Sequence, residues 1–360
     1  VVGLVENDFH RGYLDFLAER IAEGVAAAEK NLAPAKIGWA AFEEPRYVHN
    51  RRWFVQEHIQ AKLQNPFGVK GEKVRMNPGR EGLDKPAGPV DDDVFVFSVQ
   101  HADGRPLAVL GNYGLHYIGG IPGGTVSADY FGVFSKRVGE LLEANGQSPP
   151  FVGMMSNGTS GDVNANNLSQ PRQKYKPYER MTKVGNDLAE GAAKLIKEVE
   201  HYSEDVTLAA ASAELELSVR KPTEKRIAWS QKMQAPADHQ GRLTRPQVYA
   251  REIQFLKDYP DTVSVPIQVF RIDDLAIAQI PCEVFAETGL KIKGTGPFSP
   301  QVFTIELANG FFGYLPPPDQ FDWGGYETWP ARSSFLEEQA EVKIRAAVLE
   351  LMDALKEESP

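Results

Sequence analysis

Residues 107–116 and 151–167 constrain this chain more than any other part of it. An apolar run, Leu107-Ala108-Val109-Leu110, leads into Gly111-Asn112-Tyr113-Gly114-Leu115-His116, a glycine-loosened exit that delivers one histidine. A second apolar run, Phe151 to Met155, empties into Ser156-Asn157-Gly158-Thr159-Ser160-Gly161-Asp162-Val163-Asn164-Ala165-Asn166-Asn167. Two buried strands ending in loops of small polar residues are how open α/β sheets build sites, at the carboxyl ends of strands. The pairing predicts an enzyme or a ligand-binding site at these loops.

The flanking sequence supplies the other layers. Helical spacing of Tyr13, Phe16, Leu17, Ile21 and Val25 predicts a helix over 9–30 that Pro34 closes. A strand over 36–42 precedes the loop Pro45 to Trp53, and 64–92, rich in Gly, Pro and charge, is expected as an extended loop. Within it the basic run Lys70–Arg75 is expected to be solvated. Alternation over 94–99 and the turn His101 to Arg105 predict a hairpin back onto 107–110. Helices are expected over 129–145, with Asp129 as N-cap and Gly146 as C-cap, over 178–199 and over 335–356. Strands are expected over 206–219, 263–272, 275–280 and 302–307, with a short helix after Pro281. Residues 222–257, broken at Pro236 and Pro246, are expected as a helical insert. The fold class is therefore α/β: a layered mixed β-sheet flanked by helices, in one large domain over 1–360. The amphipathic helix begins almost at once, with no strand before it to pack beneath it, so the domain is expected to be N-terminally incomplete.

Charge excludes some partners. A net charge of −10 argues against nucleic acid or an anionic bilayer, and no apolar stretch approaches a membrane span. One cysteine, Cys282, excludes an internal disulfide framework and any multi-cysteine metal site. No secretory leader opens the chain. An extracytoplasmic or secreted location after leader removal is the expectation, with a cytoplasmic one as the alternative.

Six segments, in order along the chain, resemble the N-terminal domain of the neutral/alkaline (non-lysosomal) ceramidase family. Asn50-Arg51 is similar to its Asn-Arg-Ser loop, and Gly111 to His116 to its Asn-Phe-x-x-His-Gly segment. Ser127-Ala128-Asp129 resembles its Ser-Ser-Asp helix start, and Asn157 to Asn166 its Asn-x-Gly-Asp-Val-Ser-Pro-Asn loop. Pro281-Cys282-Glu283-Val284-Phe285 is similar to its Pro-Gly-Glu-Phe, and Asn309 to Tyr314 to its Asn-x-Tyr-x-x-Tyr. The resemblance implies a zinc amidase, with His116, Glu283 and Tyr314 on zinc-ligand positions and Arg51 on that of a site arginine. A histidine, a carboxylate and a phenolate suit Zn²⁺. The chain departs from the family twice. The remaining zinc histidine belongs to a His-Thr-His-Ser run upstream of Val1, so one ligand is expected from residues preceding this chain. The nucleophilic serine falls on Asn164, whose amide can only exchange hydrogen bonds.

These readings combine into a metal-dependent hydrolase that attacks with metal-activated water. Asp162 or His49 serves as the catalytic base, and Asn50, Arg51, Asn164 and Asn166 orient the substrate. The asparagine-rich loop favours a polar, hydroxylated small molecule, glycan- or lipid-derived. Two alternatives stand beside it: a glycoside-processing hydrolase, which requires paired carboxylates, and a non-catalytic protein that binds a lipid headgroup or glycan. Simpler roles are open at single positions. Asp162 suits an Asx turn, Glu283 a helix start after Pro281, and Tyr314 the packing of a proline-rich loop.

Overall fold

Two four-stranded mixed sheets stack face to face between helices in the computed structural model, which describes residues 8–199, 201–236 and 241–357. The first sheet runs Ala35–Glu43 (β1), Asp93–His101 (β2), Pro106–Tyr113 (β3) and Val152–Asn157 (β4), in that order. The second runs Leu208–Ser218 (β5), Thr262–Ile272 (β6), Leu275–Ile280 (β7) and Val302–Glu306 (β8). Both follow one plan: two antiparallel pairings, then one parallel pairing, β3 with β4 and β7 with β8. The principal helices are Asp8–Lys30 (α1), Asp129–Leu141 (α2), Glu179–Glu198 (α3), Glu224–Met233 (α4), Arg245–Asp258 (α5), Ala286–Thr295 (α6) and Ala340–Glu357 (α7). A parallel pair needs a crossover, and α2 and α6 lie in the two crossovers. The layering expected from the sequence is present, with two sheets inside it.

Strand alternation decides the layers. Val94 and Val96 of β2 bury against Tyr130 and Phe134 of α2 and Val184 and Leu188 of α3, whereas Phe95 and Phe97 point the other way, at Leu275, Ile277 and Phe303. The rings of Phe95 and Phe303 sit 4.7 Å apart and join the sheets. On the far side Val265, Ile267, Ala276, Ala278 and Ile280 pack under Ile344, Val348 and Met352 of α7. Burying each large side chain contributes about 1.5–3 kcal/mol, so the two outer cores and the aromatic seam fix the geometry. The parallel pairs end together, and their four carboxyl ends deliver His116, Ser160, Glu283 and Tyr314 to one region.

Several expectations need correction. β4 is an edge strand and not buried: Val152 and Met154 are 47% and 43% exposed. The apolar stripe of α1 is exposed, with Tyr13, Phe16, Ile21 and Val25 all more than half accessible. Residues 64–92 are not one loop, because Val74–Met76 and Leu83–Pro86 pair with Arg52–Val55. Pro246 does not break the insert. It stands in the first turn of α5, where its missing N–H costs nothing. The last helix begins at Ala340, because Phe335 and Leu336 are spent on the core of the second sheet. Asp129 is not a simple N-cap. Its carboxylate accepts from the backbone N–H groups of Ile118, Gly119 and Tyr130, which ties the loop after His116 to α2.

Candidate active site

His116 leaves the end of β3 with its ring clamped from behind. Its Nδ1 lies 2.6 Å from the Ser160 carbonyl oxygen and 3.0 Å from Ser160 Oγ. A carbonyl oxygen only accepts, so Nδ1 carries the proton and Nε2 presents a lone pair in the neutral ring. Ser160 is fixed in turn: its Oγ donates to Glu306 Oε1 at 2.5 Å and its N–H to Oε2 at 3.1 Å. Asn157 Nδ2 and the Val284 N–H also donate to Glu306. Burial pushes the Glu306 carboxyl up to about 8, against the pull of those four donors. Ser160 has no exposed surface, so its hydroxyl positions the histidine and does not meet substrate.

In front of the ring, Glu283 Oε2 stands 3.2 Å from His116 Nε2. Glu283 and Tyr314 are register partners in a short parallel ladder, which puts both side chains on one face. Gly161 makes this possible: its N–H donates to the Val284 carbonyl, and a Cβ there would stand 2.4 Å from the Glu283 carbonyl oxygen. Arg51 closes the hollow. Its Nη1 donates to His116 Nε2 at 3.0 Å, its guanidinium lies 5.3 Å from the Tyr314 ring centroid, and its buried Nη2 has no hydrogen-bond partner. Burial pushes the Tyr314 phenol well above its ordinary range, with the Glu283 charge adding to this and Arg51 opposing it.

Behind Arg51 lies a fully buried ion cluster. Glu327 accepts from Arg51 Nε at 2.9 Å and from Arg52 Nη1 at 2.6 Å. Burial would raise the Glu327 carboxyl, but the guanidiniums of Arg52 and Arg51 hold it below its ordinary value. Arg52 also donates to Gln320 and to the Gly324 carbonyl.

The expected site residues thus divide. His116, Glu283, Tyr314 and Arg51 come together. Asp162 is 1% exposed and works as a lock: Oδ2 accepts from Asn50 Nδ2 at 2.7 Å, Oδ1 from the Ala286 N–H, and its carbonyl from the Arg51 N–H. Asn50 serves that lock. Asn164 pairs in register with His49 and donates to Asn77 Oδ1 at 2.7 Å, beside the Arg51 backbone. His49, one residue from Asn50 along a strand, points to the opposite face. Burial lowers its ring, and the nearby groups are Arg46 and Arg180. Asn166 lies on the surface, accepting from Arg180. Sequence reasoning missed Ser160, Glu306, Arg52 and Glu327. Only Glu306 left a signal, a lone carboxylate in an apolar strand.

Burial raises the Asp162 carboxyl to about 6, which gives the first prediction. Above its unfolded value the folded state holds the proton more tightly, so stability falls as pH rises from about 4 to 6, by on the order of 2–3 kcal/mol. Asp162→Asn is expected to flatten that part of a urea-midpoint-against-pH curve, and an unchanged slope contradicts the assignment.

These groups sit in a fold that solved structures share. The crystal structure of neutral ceramidase from Pseudomonas aeruginosa matches with a TM-score of 0.61 at 14% identity, over 94% of this chain and 55% of that one. The chain has a neutral ceramidase-like fold. A ceramidase complexed with C2 matches with a TM-score of 0.60 at 16% identity, over 92% and 55%. This ceramidase-like chain spans about half the length of those structures. No family model and no curated protein matches the sequence. Among the described residues no helix is long and apolar enough to cross a membrane, and no group of three or more His, Cys, Asp or Glu is placed to hold a metal.

Proposed function

We propose that the chain is a zinc-dependent hydrolase of an amide or ester in a hydroxylated, lipid- or glycan-derived substrate, working without a serine nucleophile. The observation that carries this reading is the approach of His116 Nε2 to Glu283 Oε2. With Nδ1 committed to Ser160, two electron-pair donors converge at 3.2 Å, and Arg51 Nη1 meets the same His116 Nε2. Lone pairs so close call for a cation, and nitrogen, carboxylate and phenol oxygen form a fitting donor set for zinc. His116, Glu283 and Tyr314 would hold the ion, with a further ligand from sequence upstream of Val1. Bound there, zinc supplies Lewis acidity and water acidified to near neutral pH.

The chain's own residues do the rest. Ser160 and Glu306 hold the His116 ring in one tautomer and orientation. The Arg51 guanidinium, held against His116 Nε2, supplies the fixed positive charge that stabilises negative charge developing on a substrate carbonyl oxygen. A glycosidase needs a second available carboxylate, and the three buried acids around the site are committed, Glu327 to arginines, Asp162 to Asn50 and Ala286, and Glu306 to Ser160, Asn157 and Val284.

The test is turnover by full-length protein of chromogenic amides, esters and glycosides, with and without chelator. The reading expects amide or ester cleavage that chelator abolishes and zinc restores. Chelator-insensitive cleavage, or glycoside turnover alone, overturns it. Within this reading Glu306→Gln is expected to lower kcat/KM by about 10–100-fold, because an amide cannot accept from four donors. Wild-type kinetics in that variant would remove Glu306 from the support of His116.

A further inference from the structure

The run Lys70–Arg75, expected to be solvated, contains a buried arginine. Arg75, in the strand Val74–Met76, is 8% exposed, and its Nε and Nη2 have no hydrogen-bond partner. The nearest acid is Glu72, with Oε2 3.5 Å from Arg75 Nη1. Its other oxygen is taken by Trp329 Nε1 at 2.7 Å and Asn65 Nδ2 at 2.9 Å. Buried orphan donors on a charged group are rare and call for a partner.

Two more guanidiniums stand on the aromatic cluster whose Trp329 donates to Glu72. Arg245 lies 4.6 Å from the Trp329 ring centroid, and Arg226 3.9 Å from that of Phe67. Tyr249 joins these rings, 5.5 Å from each. Among the described residues neither Arg226 nor Arg245 has a carboxylate partner. Among the described residues the three guanidiniums thus have a single carboxylate beside them, Glu72, which faces Arg75 alone, in a protein of net charge −10. Burial holds Arg75 below its ordinary value, and Arg245 pushes the same way while Glu72 opposes. Arg245 also opens α5, whose N-terminal dipole adds to the positive field. Planar forks backed by aromatic rings suit oxygens arranged around a tetrahedral centre.

We infer that Arg75, Arg226 and Arg245 form a binding site for a phosphate group, either free or carried on a headgroup. The site lies where the strand Val74–Met76 meets the helical insert and does not depend on the hydrolase reading.

Inorganic phosphate titrated into full-length protein, against chloride at equal ionic strength, tests it through tryptophan fluorescence, since Trp329 lies beneath Arg245. A saturable change is expected for phosphate only. R226Q and R245Q, both at solvent-reachable positions, are each expected to weaken affinity about tenfold or more with unchanged circular dichroism. R75Q is expected to abolish binding. Co-sedimentation with phosphatidic acid vesicles but not phosphatidylcholine vesicles, displaced by phosphate, assigns the group to a headgroup; phosphate binding without sedimentation assigns it to a soluble species. A response equal to that of chloride, or unchanged affinity in both R226Q and R245Q, overturns the site.

Discussion

Replacing Glu327 by alanine is expected to destabilise the protein by about 3–5 kcal/mol, seen as a lower urea midpoint at unchanged m-value. Glu327 is fully buried and the common partner of Arg51 and Arg52, which are 6% and 0% exposed. Removing one member of a buried ion cluster leaves the others charged with neither water nor counter-ion. Here a single truncation strands two guanidiniums. Because Arg52 and Arg51 hold the folded-state carboxyl low, the stabilisation is present above its unfolded value and is lost as pH falls through the folded one. Glu327→Ala should therefore also lose that acid-side slope. A midpoint within about 0.5 kcal/mol of wild type, the range of an ordinary surface substitution, would mean that Gln320 and the Gly324 carbonyl suffice for Arg52.

His116→Ala is expected to lower kcat/KM by about 10³-fold, the equivalent of about 4 kcal/mol of transition-state stabilisation. The fold should survive, since the ring packs mainly against polar groups in a partly accessible hollow. The loss should fall on kcat and on metal retention. Circular dichroism should stay the same and the urea midpoint should move by no more than about 1 kcal/mol. Retained activity at wild-type metal content would remove His116 from the chemistry.

Much of this was legible in the sequence. β2 and β5 announce themselves by period-two alternation and β3 by its apolar run, and the carboxyl ends of the apolar runs point to the loops that carry His116 and Ser160. The meeting of His116, Glu283 and Tyr314 was not visible in any periodicity. It depends on Gly161 approaching Glu283 across more than 100 residues of chain, and on the ladder that pairs Glu283 with Tyr314. The same distance hid the arginine cluster, since Glu327 lies 276 positions from Arg51. His49 shows the opposite failure: standing beside Asn50 in sequence sends its side chain to the other face of the strand.

The most direct test of the central claim is zinc content and zinc K-edge absorption of full-length protein, wild type beside His116→Ala. The account predicts about one zinc per chain in a shell of N and O donors near 2.0–2.2 Å with an imidazole signature, and loss of metal in the variant. Zinc that stays bound in His116→Ala with an unchanged spectrum, or metal-free wild-type protein with full chelator-insensitive activity, would contradict it.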